Sequence, residues 1–335
     1  MQAPPLSVLV LHEAIGAGAR PDEADALLQV EQVAEALSNR GWQVSTLSTG
    51  LDLDTTLASI RKQNPTCIFN LVEALGGDGR MIHFVPAVLG VAGFAYTGAD
   101  SDAIYLSSQK VLAKKLMRLS EIPTPAYFTR SDVLNDSDET WIVKSVWEHA
   151  SFGMDDGCVV KGTEAARARM ADSETEFGGE WFTEQFVDGR EFNISVLEQD
   201  GQPHILPIAE MTFVDYPQGK PRIVGYAAKW DENAPEYKAT RRTFPSLSDQ
   251  EREQLRAIVH QCWAAFGLRG YARVDLRIDS SGKPWVLEIN ANPCLAQDAG
   301  FAAAARQSGL HYINLIERVV TAALRPALLS YRRTG

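Results

Sequence analysis

Cysteine is scarce in this chain. Its four cysteines, Cys67, Cys158, Cys262 and Cys294, are scattered and form no CxxC pair. That speaks against a disulfide framework or a zinc site and fits a reducing cytoplasm. Positive charge is short too: 32 Lys and Arg face 43 Asp and Glu, for a net charge of −11. A nucleic-acid backbone is therefore a poor partner, because it wants a basic surface. Small phosphate ligands are not excluded, since their sites use a few local cations and Gly-rich backbone. Long apolar runs are missing, and nothing approaches the ~20 residues that span a bilayer. Leu6–Leu11 is a short apolar run without a basic flank or cleavage pattern, so it reads as a first strand rather than a leader. Repeats and low-complexity segments are absent.

What remains is a globular composition. The 335 residues suggest two domains or three small ones, and 45% hydrophobic residues are ample for their cores. The first hundred residues alternate strand and helix. After Leu6–Leu11 comes the Gly-rich loop Gly16-Ala-Gly18, then a helix carrying Leu27, Val30, Ala34 and Leu37 on one face and stopping at Asn39-Arg40-Gly41. Trp42–Leu47 and Thr66–Val72 read as strands. A second Gly-rich loop, Leu75–Gly79, leads into an apolar helix, and Phe94–Gly98 closes the unit. Such alternation predicts a parallel sheet covered by helices, an α/β unit over residues 1–105.

From about residue 105 the pattern changes. A helix is expected over Ser107–Ser120, then strands at Thr140–Val146, Cys158–Lys161, Trp181–Phe186 and Glu191–Leu197, separated by turns such as Val187-Asp-Gly189. This reads as a small, mostly antiparallel α+β region. Ser248-Asp-Gln-Glu251 is a capping box for a helix bearing Leu255, Ile258, Val259, Cys262, Trp263 and Phe266 and ending at Gly267. A hairpin follows: Tyr271–Ile278, a turn at Asp279–Lys283, and Trp285–Asn290.

That hairpin carries the chemistry. Side chains alternate faces along a strand. Tyr271, Arg273, Asp275 and Arg277 share one face, and Val286, Glu288 and Asn290 share a face on the partner. If the hairpin is symmetric about Ser281-Gly282, Asp275 opposes Glu288 and Arg273 opposes Asn290. Two opposed carboxylates repel, and burial worsens the conflict. A bound divalent cation removes it, and oxygen-only ligands suit Mg2+. The bland alternative is a solvated face whose acids merely pair with Arg273 and Arg277.

Arg273-Val-Asp275 followed by Leu287-Glu-Ile-Asn-Ala-Asn-Pro293 resembles the metal-site signature of the ATP-grasp superfamily. More closely, the chain is similar to D-alanine–D-alanine ligases and their relatives. Tyr96-Thr-Gly98 with Lys110, Ile122-Pro-Thr-Pro125, Val143-Lys144, Glu184–Glu191 and Gly300-Phe301 all stand in the family order. The resemblance implies an ATP-grasp fold behind a Rossmann-like N-terminal domain, with boundaries at 1–105, 106–189 and 190–335. It implies an ATP-dependent ligase that joins a small carboxylate to an amine through an acyl phosphate, in the cytoplasm, with a homodimer left open.

Roles follow residue by residue. Asp275, Glu288 and Asn290 would hold two Mg2+ ions, with Mn2+ as a substitute. Lys110 and Lys144 would meet ATP phosphates. Glu184, Gln185 and Val187 would lie along the adenine hinge, Glu191 at the ribose, and Leu287 beside the nucleotide. Ser151 sits in the loop Glu148–Gly153 that would fold over the triphosphate. Lys229 would ride a closing loop, and Arg273 would stabilise developing charge, aided by the Cys294 N–H. Glu73, Trp230, Cys294 and Asp298 would face the substrates. The bland readings stay open beside these. Lys110 reads equally as a solvated helix charge, Glu184 as an outward edge-strand residue, and the glycine loops as plain turns. His83 and His149 receive no role.

The chain also departs from the family. His149-Ala150-Ser151 stands where Gly-Ser-Ser is usual, Trp230 stands where a tyrosine follows the mobile-loop lysine, and Asn70–Gly79 replaces the usual His-Gly-containing loop. No Ser or Thr lies between Leu295 and Arg306, and Asp298 puts a negative charge there. These changes put D-alanine as the substrate in doubt. Other readings are an authentic D-alanine–D-alanine ligase, a non-catalytic ATP-binding regulator, and a small-molecule kinase.

Overall fold

The computed structural model describes residues 6–16, 21–133, 135–148, 151–216 and 218–333. Gly18, His149 and Ala150 lie outside the described residues.

Three sheets organise the described residues. The first is parallel and runs in the order β2-β1-β3, with β1 Ser7–Glu13, β2 Gln43–Thr49 and β3 Cys67–Asn70. Tyr96 extends it by a parallel bridge to Ile68. Val8–Leu11 is apolar without a break because both faces of the strand are covered. One face packs on helix Pro21–Asn39 together with Leu315, Ile316, Val319 and Val320 of the last helix. The other packs on helices Leu53–Gln63 and Phe84–Val91.

The second sheet is antiparallel, in the order β4-β7-β5-β6, from β4 Tyr127–Phe128, β5 Thr140–Ser145, β6 Val159–Lys161 and β7 Trp181–Gln185. The third is also antiparallel: β8 Gly189–Gln199, β9 Gln202–Ile205, β10 Ala209–Phe213, β11 Thr240–Thr243, β12 Tyr271–Asp279 and β13 Pro284–Asn290. Its order is β11-β10-β8-β12-β13, with β9 beside β8. Its apolar face packs on helices Ser101–Ser108, Lys110–Leu119 and Asp249–Ala265. The last begins with the expected capping box: Glu251 N–H donates to Ser248 Oγ at 3.2 Å, and Ser248 N–H donates to Glu251 Oε2 at 3.0 Å.

The expected helix Ser107–Ser120 is in fact two helices meeting at Gln109. That residue is extended (φ −78°, ψ 92°), and its side-chain oxygen caps the second helix through the Leu112 N–H. The Lys110 N–H turns aside to the Val146 carbonyl at 3.1 Å. The break aims Lys110 at the second sheet instead of continuing the first helix axis.

The β12–β13 hairpin corrects another expectation. Arg273 pairs with Asn290 and Asp275 with Glu288, as symmetry predicts, but the register then shifts and Leu276 pairs with Val286. Leu287 is the extra residue of a β-bulge. Val286 therefore does not share a face with Glu288 and Asn290; it is buried beside Leu276 and Ile289 in the core.

Candidate active site

The bulge separates two jobs along one strand. Val286 and Ile289 secure β13 to the core, while Glu288 and Asn290 turn to the opposite face. Across from them, Asp275 is buried, and Asn193 on β8 donates to its Oδ1 at 2.9 Å. Arg273 grips both oxygens of Asp275, Nε to Oδ1 and Nη2 to Oδ2, each at 2.8 Å. Burial pushes the Asp275 pKa up, and Glu288 adds to that; Arg273 pulls the other way without cancelling it. The solvated-face alternative for this hairpin does not hold for Asp275, which is 6% exposed, or for Arg277, which is 3% exposed. Arg277 instead donates to Glu191 Oε2 at 2.7 Å and to the Val187 carbonyl at 2.8 Å. Glu191 and Val187 are thereby fixed to each other across the turn between β7 and β8.

A cluster of lysines lies at the junction of the second and third sheets. Glu184 on β7 is 1% exposed, so it is no outward edge-strand residue. Its Oε1 accepts a hydrogen bond from Lys144 of β5 at 2.5 Å, and its Oε2 forms an ion pair with Lys114 at 2.5 Å. Burial alone would raise the Glu184 pKa; the two lysines more than offset that and hold it below the usual carboxylate range. Lys110 is buried as well and donates to the Glu148 carbonyl at 2.6 Å, so it is not a solvated helix charge. Burial depresses its pKa, and Glu288 opposes that most strongly. The lysine cluster and the acidic hairpin face are thus within electrostatic reach of each other. Sequence reading missed Lys114 and Asn193. The signal for Lys114 was its i+4 spacing from Lys110, which puts both on one helix face.

Two loops converge above this floor. Ser151, with φ 63°, donates its hydroxyl to the Val224 carbonyl at 2.8 Å, and the Tyr226 N–H donates to Met154 O at 3.0 Å. Lys220 adds an ion pair to Asp156 at 2.7 Å. The short helix Tyr226–Trp230 carries Lys229 inward. Burial lowers the Lys229 pKa, as does Arg273, against the attraction of Glu288, Asp275 and Glu191. Trp230 follows it and stacks obliquely on Tyr226, with ring centroids 6.5 Å apart. Gln185 holds the second sheet, its N–H on Ala126 O at 2.7 Å and its side chain on Glu139 at 3.0 Å. Leu287 contributes its carbonyl, which accepts from Lys114 at 3.3 Å.

A third group borders Arg273 on the side of the first sheet. The Glu73 N–H donates to Glu13 Oε2 at 2.9 Å. The thiol of Cys294 lies 3.6 Å from Asp25 Oδ2, and its pKa is raised by burial first and by Glu73 next. Asp25 is itself raised by burial and by Asp298. Asp298 precedes helix Gly300–Gln307, whose N-cap is Ala299 with no side-chain cap. Arg242 on β11, unflagged by the sequence, donates to the Asp298 carbonyl at 3.2 Å. The turn glycines Gly76 and Gly77 have φ of 62° and 79°, a backbone that a tight turn requires there.

Among the described residues no group of three or more His, Cys, Asp or Glu is placed to hold a metal. Asp275, Glu288 and Asn290 offer two carboxylates and an amide from one face. A hard cation completed by water and phosphate oxygens fits such an incomplete set, as Mg2+ sites commonly do.

Fold and site define an ATP-grasp ligase, an enzyme class that forms carbon–nitrogen bonds. The family model described as D-ala D-ala ligase C-terminus matches residues 133–321, and the chain belongs to the D-alanine–D-alanine ligase family. Among its relatives is uncharacterized protein y4sG of Sinorhizobium fredii, 30% identical over 88% of this chain and 87% of that one. A D-alanine–D-alanine ligase of a Marinomonas species is 29% identical over 90% and 92%. The crystal structure of D-alanine–D-alanine ligase from Bacillus anthracis complexed with ATP superposes with a TM-score of 0.72 at 19% identity, covering 98% of this chain and 100% of that one. Among the described residues no helix is long and apolar enough to cross a membrane.

Proposed function

We propose that this chain is an ATP-dependent carboxylate–amine ligase, working on amino acids or related small metabolites other than D-alanine with D-alanine. The observation that carries the reading is one face bearing Arg273, Asp275, Glu288 and Asn290 in register, next to the buried Lys110, Lys144 and Glu184. Nucleotide lies between the central region (106–189) and the C-terminal region (190–335), with the first (1–105) closing the substrate side. Gln185 and Val187 line the adenine, Glu191 meets the ribose, and Lys110 and Lys144 meet phosphates.

Phosphoryl transfer asks a protein for positioning and charge neutralisation more than for covalent chemistry. Asp275, Glu288 and Asn290 would hold Mg2+, which supplies neutralisation of phosphate charge. The substrate carboxylate oxygen attacks the γ-phosphorus and ADP leaves. The amine nitrogen then attacks the acyl carbon, phosphate leaves with the electron pair, and the amine loses a proton. Arg273 and Lys229 stabilise the charge that develops. Arg273 is gripped by Asp275, so it must trade part of that contact for the ligand. The seam from Ser151 to Val224 excludes water from the acyl phosphate.

The substrate side supports an amine other than D-alanine. Asp25 and the exposed Asp298 lie close enough to repel each other, and no Ser or Thr hydroxyl stands between Leu295 and Arg306. A carboxylate ~4 Å from the exposed Asp298 would be repelled by about 1 kcal/mol in full solvent and by up to about 4 kcal/mol once a ligand excludes water. An acid group on the incoming amine would have to sit elsewhere, with Arg242 as the nearby cation. The second reading, D-alanine–D-alanine ligase itself, is carried by the names of the relatives. An ADP-release assay over a panel of acids, with and without amines, tests the proposal. A ligase couples ADP release to amide formation, a kinase needs no amine, and a regulator gives little turnover.

A further inference from the structure

The buried lysines of the cleft are not equivalent. The ammonium of Lys114, 1% exposed, meets Glu184 Oε2 at 2.5 Å, Thr124 Oγ1 at 3.0 Å and the Leu287 carbonyl at 3.3 Å. One ion pair, two hydrogen bonds and near-complete burial hold Lys114 within the protein and away from a ligand. Lys144 differs. Its side chain is 13% exposed, and among the described residues its ammonium donates only to the other Glu184 oxygen. Burial pulls the Lys114 pKa below the ordinary lysine value and Glu184 opposes that; with both lysines charged, the group of two ammoniums and one carboxylate has a net charge of +1. Without Lys114, Glu184 and Lys144 would neutralise each other.

We propose that Lys114 is a positioning residue that neutralises Glu184, so that the charge of Lys144 stays available to the phosphates of a bound nucleotide. The inference rests on the nucleotide reading of the cleft. The same ammonium also holds the strand that presents Glu288. It grips Leu287 at the bulge, while Thr124 Oγ1 donates to the Val286 carbonyl at 2.8 Å. Burial works against the charge on Lys144, but Glu184 and Glu288 more than offset it, and its pKa lies above the ordinary lysine value.

Calorimetric titration of the full chain with ATP-Mg and with adenosine tests this. Lys114→Met weakens ATP-Mg at least roughly tenfold and adenosine by less than about threefold. The double variant K114M/E184Q restores the balance of charge and returns the ATP-to-adenosine affinity ratio toward the wild-type value. Equal losses for both ligands, or unchanged ATP affinity, overturn the proposal in favour of plain structural support. If Lys114→Met does not fold, Glu184→Gln reads the balance from the other side: the ATP-to-adenosine ratio rises, and an unchanged or lower ratio overturns the proposal. Wild-type protein that binds neither ligand would instead remove the nucleotide reading, and this inference with it.

Discussion

Asp275 accepts both arms of the Arg273 guanidinium while facing Glu288 across the β12–β13 hairpin. A carboxylate already bonded to an arginine, and opposed by a second carboxylate, is a costly arrangement in a buried place unless a cation joins it. Asp275→Asn and Glu288→Gln are therefore expected to lower turnover at least about a hundredfold, with the fold kept. Glu288→Gln relieves the repulsion of Asp275 but also removes the attraction of Lys110, Lys144 and Lys229, so no gain in stability is expected. Near-normal ADP formation by either variant in saturating Mg2+ would remove the metal assignment.

The buried Glu184 gives a pH signature. Its pKa is lowered in the fold from an ordinary 4.5, so its ion pairs add stability above that value and lose it as pH falls through the lower folded pKa. Glu184→Gln should cost about 3 kcal/mol near neutral pH by leaving two buried lysines short of a partner. The difference from wild type should shrink below pH 4.5. Denaturant melts across pH check this, and a constant difference would show that the ion pairs contribute nothing.

The loops over the cleft are stitched together by Ser151–Val224, Met154–Tyr226 and Asp156–Lys220. The described parts of 147–157 and 212–242 should exchange amide hydrogens readily without nucleotide and slow with ATP-Mg, as lids drawn from the less stable parts of a structure do. A Cβ at Gly225 would lie 2.8 Å from Met154 O. Gly225→Ala should thus speed exchange in both stretches with little change in Tm. Equal protection with and without ATP-Mg would refute the lid assignment.

Product analysis with D-alanine alone addresses the substrate. Little D-alanyl-D-alanine is expected, given Asp298 and the missing hydroxyl beside helix Gly300–Gln307. Efficient formation, with a Michaelis constant in the usual range of about 1 μM to 1 mM, would restore the second reading.

The fold was legible where pattern and structure obey the same period. The buried run Val8–Leu11, the capping box at Ser248 and the alternation along β12 needed no tertiary information. The break at Gln109 was hidden because glutamine is not a usual N-cap, and the restart depends on a distant acceptor, the Val146 carbonyl. The bulge at Leu287 left no mark either. Asp275 and Glu288 were paired correctly although the turn-side half of the hairpin is one residue out of step. Lys114 escaped notice because a lysine within an amphipathic helix looks solvated until Glu184, 70 residues later, is brought beside it. Helix Leu53–Gln63 was unassigned despite its Asp52 cap on the Thr55 N–H, since only Thr56 and Ile60 of it are buried.

The central claim is that a carboxylate is phosphorylated before an amine displaces the phosphate. The most direct measurement uses an acid from the ADP-release panel, labelled with 18O in its carboxylate, followed by mass analysis of the inorganic phosphate. The account predicts one labelled oxygen in phosphate for each amide formed. Phosphate free of label, or ADP released without amide, would contradict it.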